Sequence, residues 1–296
     1  MNEFLTYLVN GLSLGGIYAL IALGFVIVFK ASEVVNFAHG TFVVLGAYVI
    51  ARTQQDAPFL VAVLAGTAVA AAGFLFVERV FVRRLARVQH GANALAILTI
   101  GVDIVVITEL TRRFGPDILP LGDPWGSKLV DLGPVTIPQA RLAALLIVAV
   151  ILAAFYAAFR FSSWGIAMRA GAEDGEAAAL MGINRGRVTA TAWAIAGVLA
   201  AIAAVFLCAF PTPGADAALR FTALRAFPAA ILGGLDSTFG AVVGGLLIGV
   251  TESMVSGYSI TFNDASLVDV VPYVVMLAVL LFRPSGLFGT KELSRV

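Results

Sequence analysis

Of 296 residues, 60% are hydrophobic and only 12% charged, with a mean hydropathy of +0.98 and a net charge of +1. Soluble domains carry about 25% charged residues, so too little polar surface is present to cover a water-soluble protein of this size. The balanced charge gives no reason for a nucleic-acid partner, and a single cysteine, Cys208, in an apolar run excludes a disulfide framework and a thiolate metal cluster.

A helix needs about 20 apolar residues to cross the hydrocarbon core of a bilayer. In chain order, such runs lie at approximately 5–29, 58–77, 91–111, 140–160, 187–210, 239–257 and 267–283. No basic region precedes the first run, so it reads as a membrane helix and not a cleaved signal. It carries Gly11, Gly15 and Gly16, and the sixth carries Gly240, Gly244, Gly245 and Gly249. Spacings of four put small residues on one helix face and predict close backbone approach. Two further segments, 34–51 and 219–234, are short or interrupted, the first by Asn36, His39 and Gly40, the second by Arg220, Arg225 and Pro228. Either reads as a broken or re-entrant helix. The fold class is therefore all-α: a polytopic transmembrane helical bundle of about eight to nine spans with one or two short or broken helices, forming one domain over 1–296.

With nine spans and the C-terminus inside, twelve of the 19 basic residues fall on the cytoplasmic side and seven outside, Arg220 and Arg225 among the latter. That bias obeys the positive-inside rule with the N-terminus outside. The hydrophilic stretch 112–139, rich in Pro and Gly, reads as an external loop. The stretch 160–187 reads as a cytoplasmic loop with a short amphipathic helix over 173–182. Glu173, Asp174 and Glu176 stand at its start, where acids suit the helix dipole; Ala177, Ala178, Leu180 and Met181 form an apolar face; Gly182 ends it.

No glycine-rich loop ends in Lys-Ser or Lys-Thr, so any nucleotide that drives this protein binds another chain. The two histidines, His39 and His90, lack companion ligands for a metal, and the sequence calls for no cofactor and no enzyme chemistry. Asp103 sits inside an apolar span, Glu109 and Glu252 near span ends. A carboxylate at membrane depth faces the bundle interior or a wet cavity, as a lining of a solute path or as a structural hydrogen-bond partner. The run Asn36-Phe37-Ala38-His39-Gly40 can unwind a helix and expose backbone to a polar solute, or can simply start a helix.

Four segments resemble the membrane subunits of high-affinity branched-chain amino-acid importers of the ATP-binding-cassette class. They are VVNFAHGTFVVLGAY at 34–48, RAGAEDGEAAALMGINRGRV at 169–188, AAILGGLDSTFGAVVGGLLIGVTES at 229–253 and FRPSGLFG at 282–289. The resemblance implies a permease that binds no nucleotide, sits in the inner membrane and pairs with a second, related permease. It further implies two cytoplasmic ATPase subunits docked beneath and a periplasmic binding protein that delivers leucine, isoleucine or valine. The helix at 173–182 would be the coupling element, through Glu173, Asp174, Glu176, Ala177, Ala178 and Gly182. Asn36, His39, Gly40, Thr41 and Asp103 would lie along the translocation path. Relatives often carry Glu where Thr41 stands, and small polar residues where Asp103 stands. A urea or short-amide permease shares these motifs and is the nearest alternative; an ion-coupled secondary transporter would not need a patterned cytoplasmic helix.

Overall fold

The computed structural model describes residues 2–88, 92–115, 117–122, 124–125, 128–132, 135–209, 214–258, 261–262 and 265–290. His90, Lys291 and Arg295, which entered the sequence reading, lie outside the described residues. In chain order the elements are α1 (Asn2–Ser32), α2 (His39–Thr53) and α3 (Phe59–Val77), which runs through a π-helical segment, Glu78–Val82, into α4 (Arg83–Val88). Then come α5 (Ala92–Phe114), the hairpin β1 (Leu129–Leu132) and β2 (Val135–Pro138), α6 (Gln139–Phe161), α7 (Ser163–Glu173), α8 (Gly175–Leu180) and α9 (Arg185–Leu207). The chain ends with α10 (Leu219–Leu224), α11 (Ala226–Gly233), α12 (Thr238–Gly257), the small pair β3 (Thr261–Phe262) and β4 (Ala265–Ser266), and α13 (Val271–Phe282).

Six of these helices are long and apolar enough to cross a membrane, and α13 is a shorter apolar one. Together with α2 and the broken pair α10–α11, they give the expected polytopic bundle of about eight to nine passes. Hydrogen bonds between helices distant in sequence sort the helix ends onto two faces. On one, Lys30 donates to the Asp236 carbonyl at 2.8 Å, Thr189 to Ala31 at 3.0 Å, and the Leu287 amide to Leu232 at 2.8 Å. On the other, Ser13 donates to the Arg141 carbonyl at 3.0 Å and Ser253 to Tyr7 at 2.8 Å. Successive passes therefore alternate in direction, and α7 and α8 belong to the first face with Arg83, Arg169 and Arg185.

The core sits around α1 and α9, whose most apolar windows are 89% and 72% buried, while those of α5 and α6 are 22% and 17% buried. Helices so apolar yet so uncovered meet lipid or another chain. The glycine stripe does what its spacing predicts. A Cβ on Gly249 of α12 would lie 2.2 Å from the Gly15 Cα of α1, so only glycine permits this crossing. Gly244, on another side of α12, faces the Ala229 carbonyl of α11 at a hypothetical 2.1 Å.

Three local features depart from the sequence reading. Residues 33–38 are non-helical, so the helix expected from 34 begins at His39. The 112–139 stretch holds an antiparallel hairpin, Leu129 opposite Pro138, because Val, Ile and Thr there favour extended backbone. The helix expected at 173–182 is shorter: α8 runs Gly175–Leu180 with Asp174 as its N-cap, and Glu173 ends a separate helix, α7.

Candidate functional site

The chain enters α2 from deep inside the bundle. Gly24 lies eight residues before the end of α1, roughly 12 Å at 1.5 Å per residue, and a Cβ there would touch His39 Cε1 at 2.5 Å. The 33–38 segment thus turns back and starts α2 well below the basic face. Its backbone is held by two side chains. Asn36 Oδ1 accepts the Ala38 amide at 3.1 Å, and Thr99 of α5 accepts the Phe37 amide at 3.1 Å. The Asn36 Nδ2 is buried without a partner among the described residues.

Side chains leaving the start of α2 go two ways. His39 is fully buried, stacked on Phe25 at 4.3 Å between ring centroids and edge-on to Phe74 at 5.2 Å, with neither ring nitrogen hydrogen-bonded among the described residues. Two residues on, and so roughly 200° around the helix, Thr41 donates to Asp103 of α5 in a close hydrogen bond. The other Asp103 oxygen faces Arg220 of α10 at 3.5 Å. Gly40 faces the same short helix: a Cβ would stand 3.1 Å from the Arg220 carbonyl. Of the five residues expected along a path, Gly40, Thr41 and Asp103 converge on α10, whereas Asn36 and His39 point into packed core. The Asp103–Arg220 pair is partly open, with side chains 22% and 29% exposed. It borders a groove of about 410 Å³ lined by Ile107, Thr108, Thr111, Ala217 and Phe221.

Arg225, at the break between α10 and α11, makes a second and more enclosed network. It donates to Glu252 of α12 at 2.6 Å and closely to Asp269 ahead of α13; Tyr18 of α1 donates to the other Glu252 oxygen at 2.9 Å. Glu252 therefore takes the structural role, a hydrogen-bond hub between helices. Glu109 is a surface acid, bridged to Arg112 and Arg113 on its own helix. Arg220 and Arg225, counted as outer-side residues in the sequence, are each paired with carboxylates of neighbouring segments, Arg220 with Asp103 and Arg225 with Glu252 and Asp269. The available signal was two arginines in an apolar segment, since charge at that depth requires carboxylate partners. Arg225→Leu leaves Glu252 buried against Tyr18 alone and is expected to destabilise the chain by about 3 kcal/mol. A thermal melt in detergent reads this, and an unchanged midpoint would refute the hub role.

On the basic face, α8 forms a protruding turn with both ends specified. Asp174 is its N-cap, accepting the Glu176 amide at 3.0 Å and the Ala177 amide at 2.9 Å. Gly182, at φ +85°, is the left-handed terminator. The Gly182 amide bonds Ala179 and the Ile183 amide bonds Ala178, both at 3.0 Å, the paired bonds of a Schellman motif. Glu173 does not start this helix; it is the last residue of α7. Glu176 and Ala177 are exposed, but Ala178 is buried against its own chain, so the face expected from it, Ala177, Leu180 and Met181 is divided. Leu180 and Met181 are 89% and 84% exposed at the tip.

The family model for the branched-chain amino acid transport system permease component matches residues 7–280. The chain is 33% identical to the high-affinity branched-chain amino acid transport system permease protein LivH of Salmonella typhimurium, over 99% of this chain and 98% of that one. It is 32% identical to the BraD permease protein of Pseudomonas aeruginosa, with the same coverage. Among solved structures, a chain of PsaBC from Streptococcus pneumoniae in complex with Fab matches with a TM-score of 0.50 and 14% identity, over 96% of this chain and 93% of that chain, a likeness of fold alone.

Proposed function

The chain belongs to the permease-component family of branched-chain amino acid transport systems, and on that premise we propose that it is the membrane subunit of an ATP-binding-cassette importer that moves leucine, isoleucine or valine across the inner membrane. The basic face is cytoplasmic. Two ATPase subunits dock beneath the permease pair, one of them against α8, a second permease covers the exposed side of α5 and α10, and a periplasmic binding protein delivers solute to the opposite face. The observation that carries this reading is the capped turn of α8, which presents Leu180 and Met181 to water. Large apolar side chains so exposed mark an interaction site. Gly40, Thr41, Asp103 and Arg220 line the path where the two permeases meet, and Asn36 and His39 fix its wall from behind.

The test is reconstitution. Vesicles holding the permease pair and ATPases should take up labelled leucine only with ATP inside and binding protein outside. Vesicles holding this chain alone should show no uptake. Uptake by the chain alone would replace the importer reading with that of a secondary transporter.

A further inference from the structure

A cavity of about 610 Å³ lies on the basic face, between the bundle and the segment that carries α8. The path described above does not use it, and its size is that of small-molecule sites. Its walls hold charges of both signs around an apolar body. Glu33 and Glu78 supply carboxylates, Lys30, Arg83 and Arg185 supply cations, and Val82, Leu95, Met168 and Val188 supply aliphatic surface.

Three observations mark it as a built site. Glu78 is 2% exposed, and Arg83 engages only its Oε1, at 3.1 Å, which leaves Oε2 buried without a partner among the described residues. A buried carboxylate oxygen without a donor is costly, and a ligand ammonium would satisfy it. Glu78 also opens the π-helical segment Glu78–Val82, and such insertions are frequent at functional sites. Finally, Glu33 has φ 56°, the left-handed region, where glycine would be the unstrained choice. A glutamate kept there at conformational cost points to use of its side chain.

The cavity is also wired to α8. A Cβ on Gly175, the first residue of α8, would lie 2.7 Å from Arg185 Cζ, so the guanidinium rests on that turn. Arg83 donates to the Gly186 carbonyl at 2.7 Å, which ties α4 to the start of α9.

We infer that this cavity is a second, cytoplasmic site for an aliphatic α-amino acid, and that its occupation restrains α8 and slows the transporter. The ligand ammonium sits against Glu78 and Glu33, its carboxylate against Arg185, and its side chain against Val82, Leu95, Met168 and Val188. This rests on the importer reading for its sidedness and for the solute that accumulates there.

The experiment uses the whole transporter in vesicles with ATP inside and binding protein and leucine outside, reading ATP hydrolysis as leucine is preloaded on the cytoplasmic side. Millimolar internal leucine should lower hydrolysis several-fold. Glu33→Gln, at an exposed position, should raise the half-inhibitory concentration about tenfold, the value of one charge-assisted hydrogen bond, without altering the rate at zero internal leucine, and Arg185→Gln should raise it likewise relative to that variant's own rate at zero internal leucine. Isocaproate and isoamylamine, each lacking one of leucine's two charged groups, should inhibit far less. Hydrolysis indifferent to internal leucine, inhibition unchanged in both variants, or isocaproate as potent as leucine would each overturn the inference. Absence of ATP-driven uptake at zero internal leucine would overturn the importer reading instead, and this inference with it.

Discussion

Serine at both Leu180 and Met181 is expected to abolish uptake and copurification of the ATPase, while membrane insertion and permease pairing stay intact. The two side chains project from a turn whose ends are fixed by the Asp174 cap and the Gly182 terminator. They make almost no contact within the chain, so their removal costs the fold nothing. A central apolar anchor contributes about 2 kcal/mol or more to an interface, so losing two weakens docking about a thousandfold. Ala178→Trp would be the wrong variant for this purpose. Ala178 is buried behind the turn, and its carbonyl accepts the Ile183 amide, so tryptophan there would break α8 itself. Ala177→Trp, on the exposed side, is the steric test that leaves the turn folded. Normal uptake with the ATPase still bound to the Leu180→Ser, Met181→Ser chain would remove α8 as the coupling element.

The bundle was legible in the sequence because lipid leaves few options. An apolar run of the right length must be a helix, since no water is present to satisfy its backbone. Gly15 and Gly249 announced their crossing because their spacing alone implies a shared face. Asp174 and Gly182 were legible for a similar reason: capping is local, decided by residues within one turn. Long-range partners were not. Nothing near Asp103 in sequence reveals Arg220, which lies more than a hundred positions on and arrives only when α10 packs on α2. Likewise Asn36 and His39 looked like solute ligands because they are polar within an apolar run. The fold spends Asn36 on the Ala38 amide and His39 on an aromatic stack. Helix periodicity separates His39 from Thr41, but which of the two turns toward Asp103 and which into the aromatic core depends on where α1 and α5 sit.

The Asp103–Arg220 pair separates a structural role from a transport role. Arg220→Leu leaves Asp103 held only by Thr41, and Asp103→Leu leaves a guanidinium facing the groove without its acid. Each single change is expected to lower stability by about 2–3 kcal/mol, the lower end for a pair that is partly open. Removing both charges together removes the mismatch, so the double variant should melt close to the parent. A pair that merely holds α10 to α5 would then have been replaced, and uptake would return. A pair that meets a zwitterionic solute is lost for good in the double variant. Its uptake is expected to stay about tenfold or more below the parent, the value of one charge-assisted hydrogen bond to the passing solute. Leucine uptake and thermal midpoint measured on the same three preparations decide between the two roles. Recovery of both in the double variant would leave the pair as structure alone and move the path away from α10.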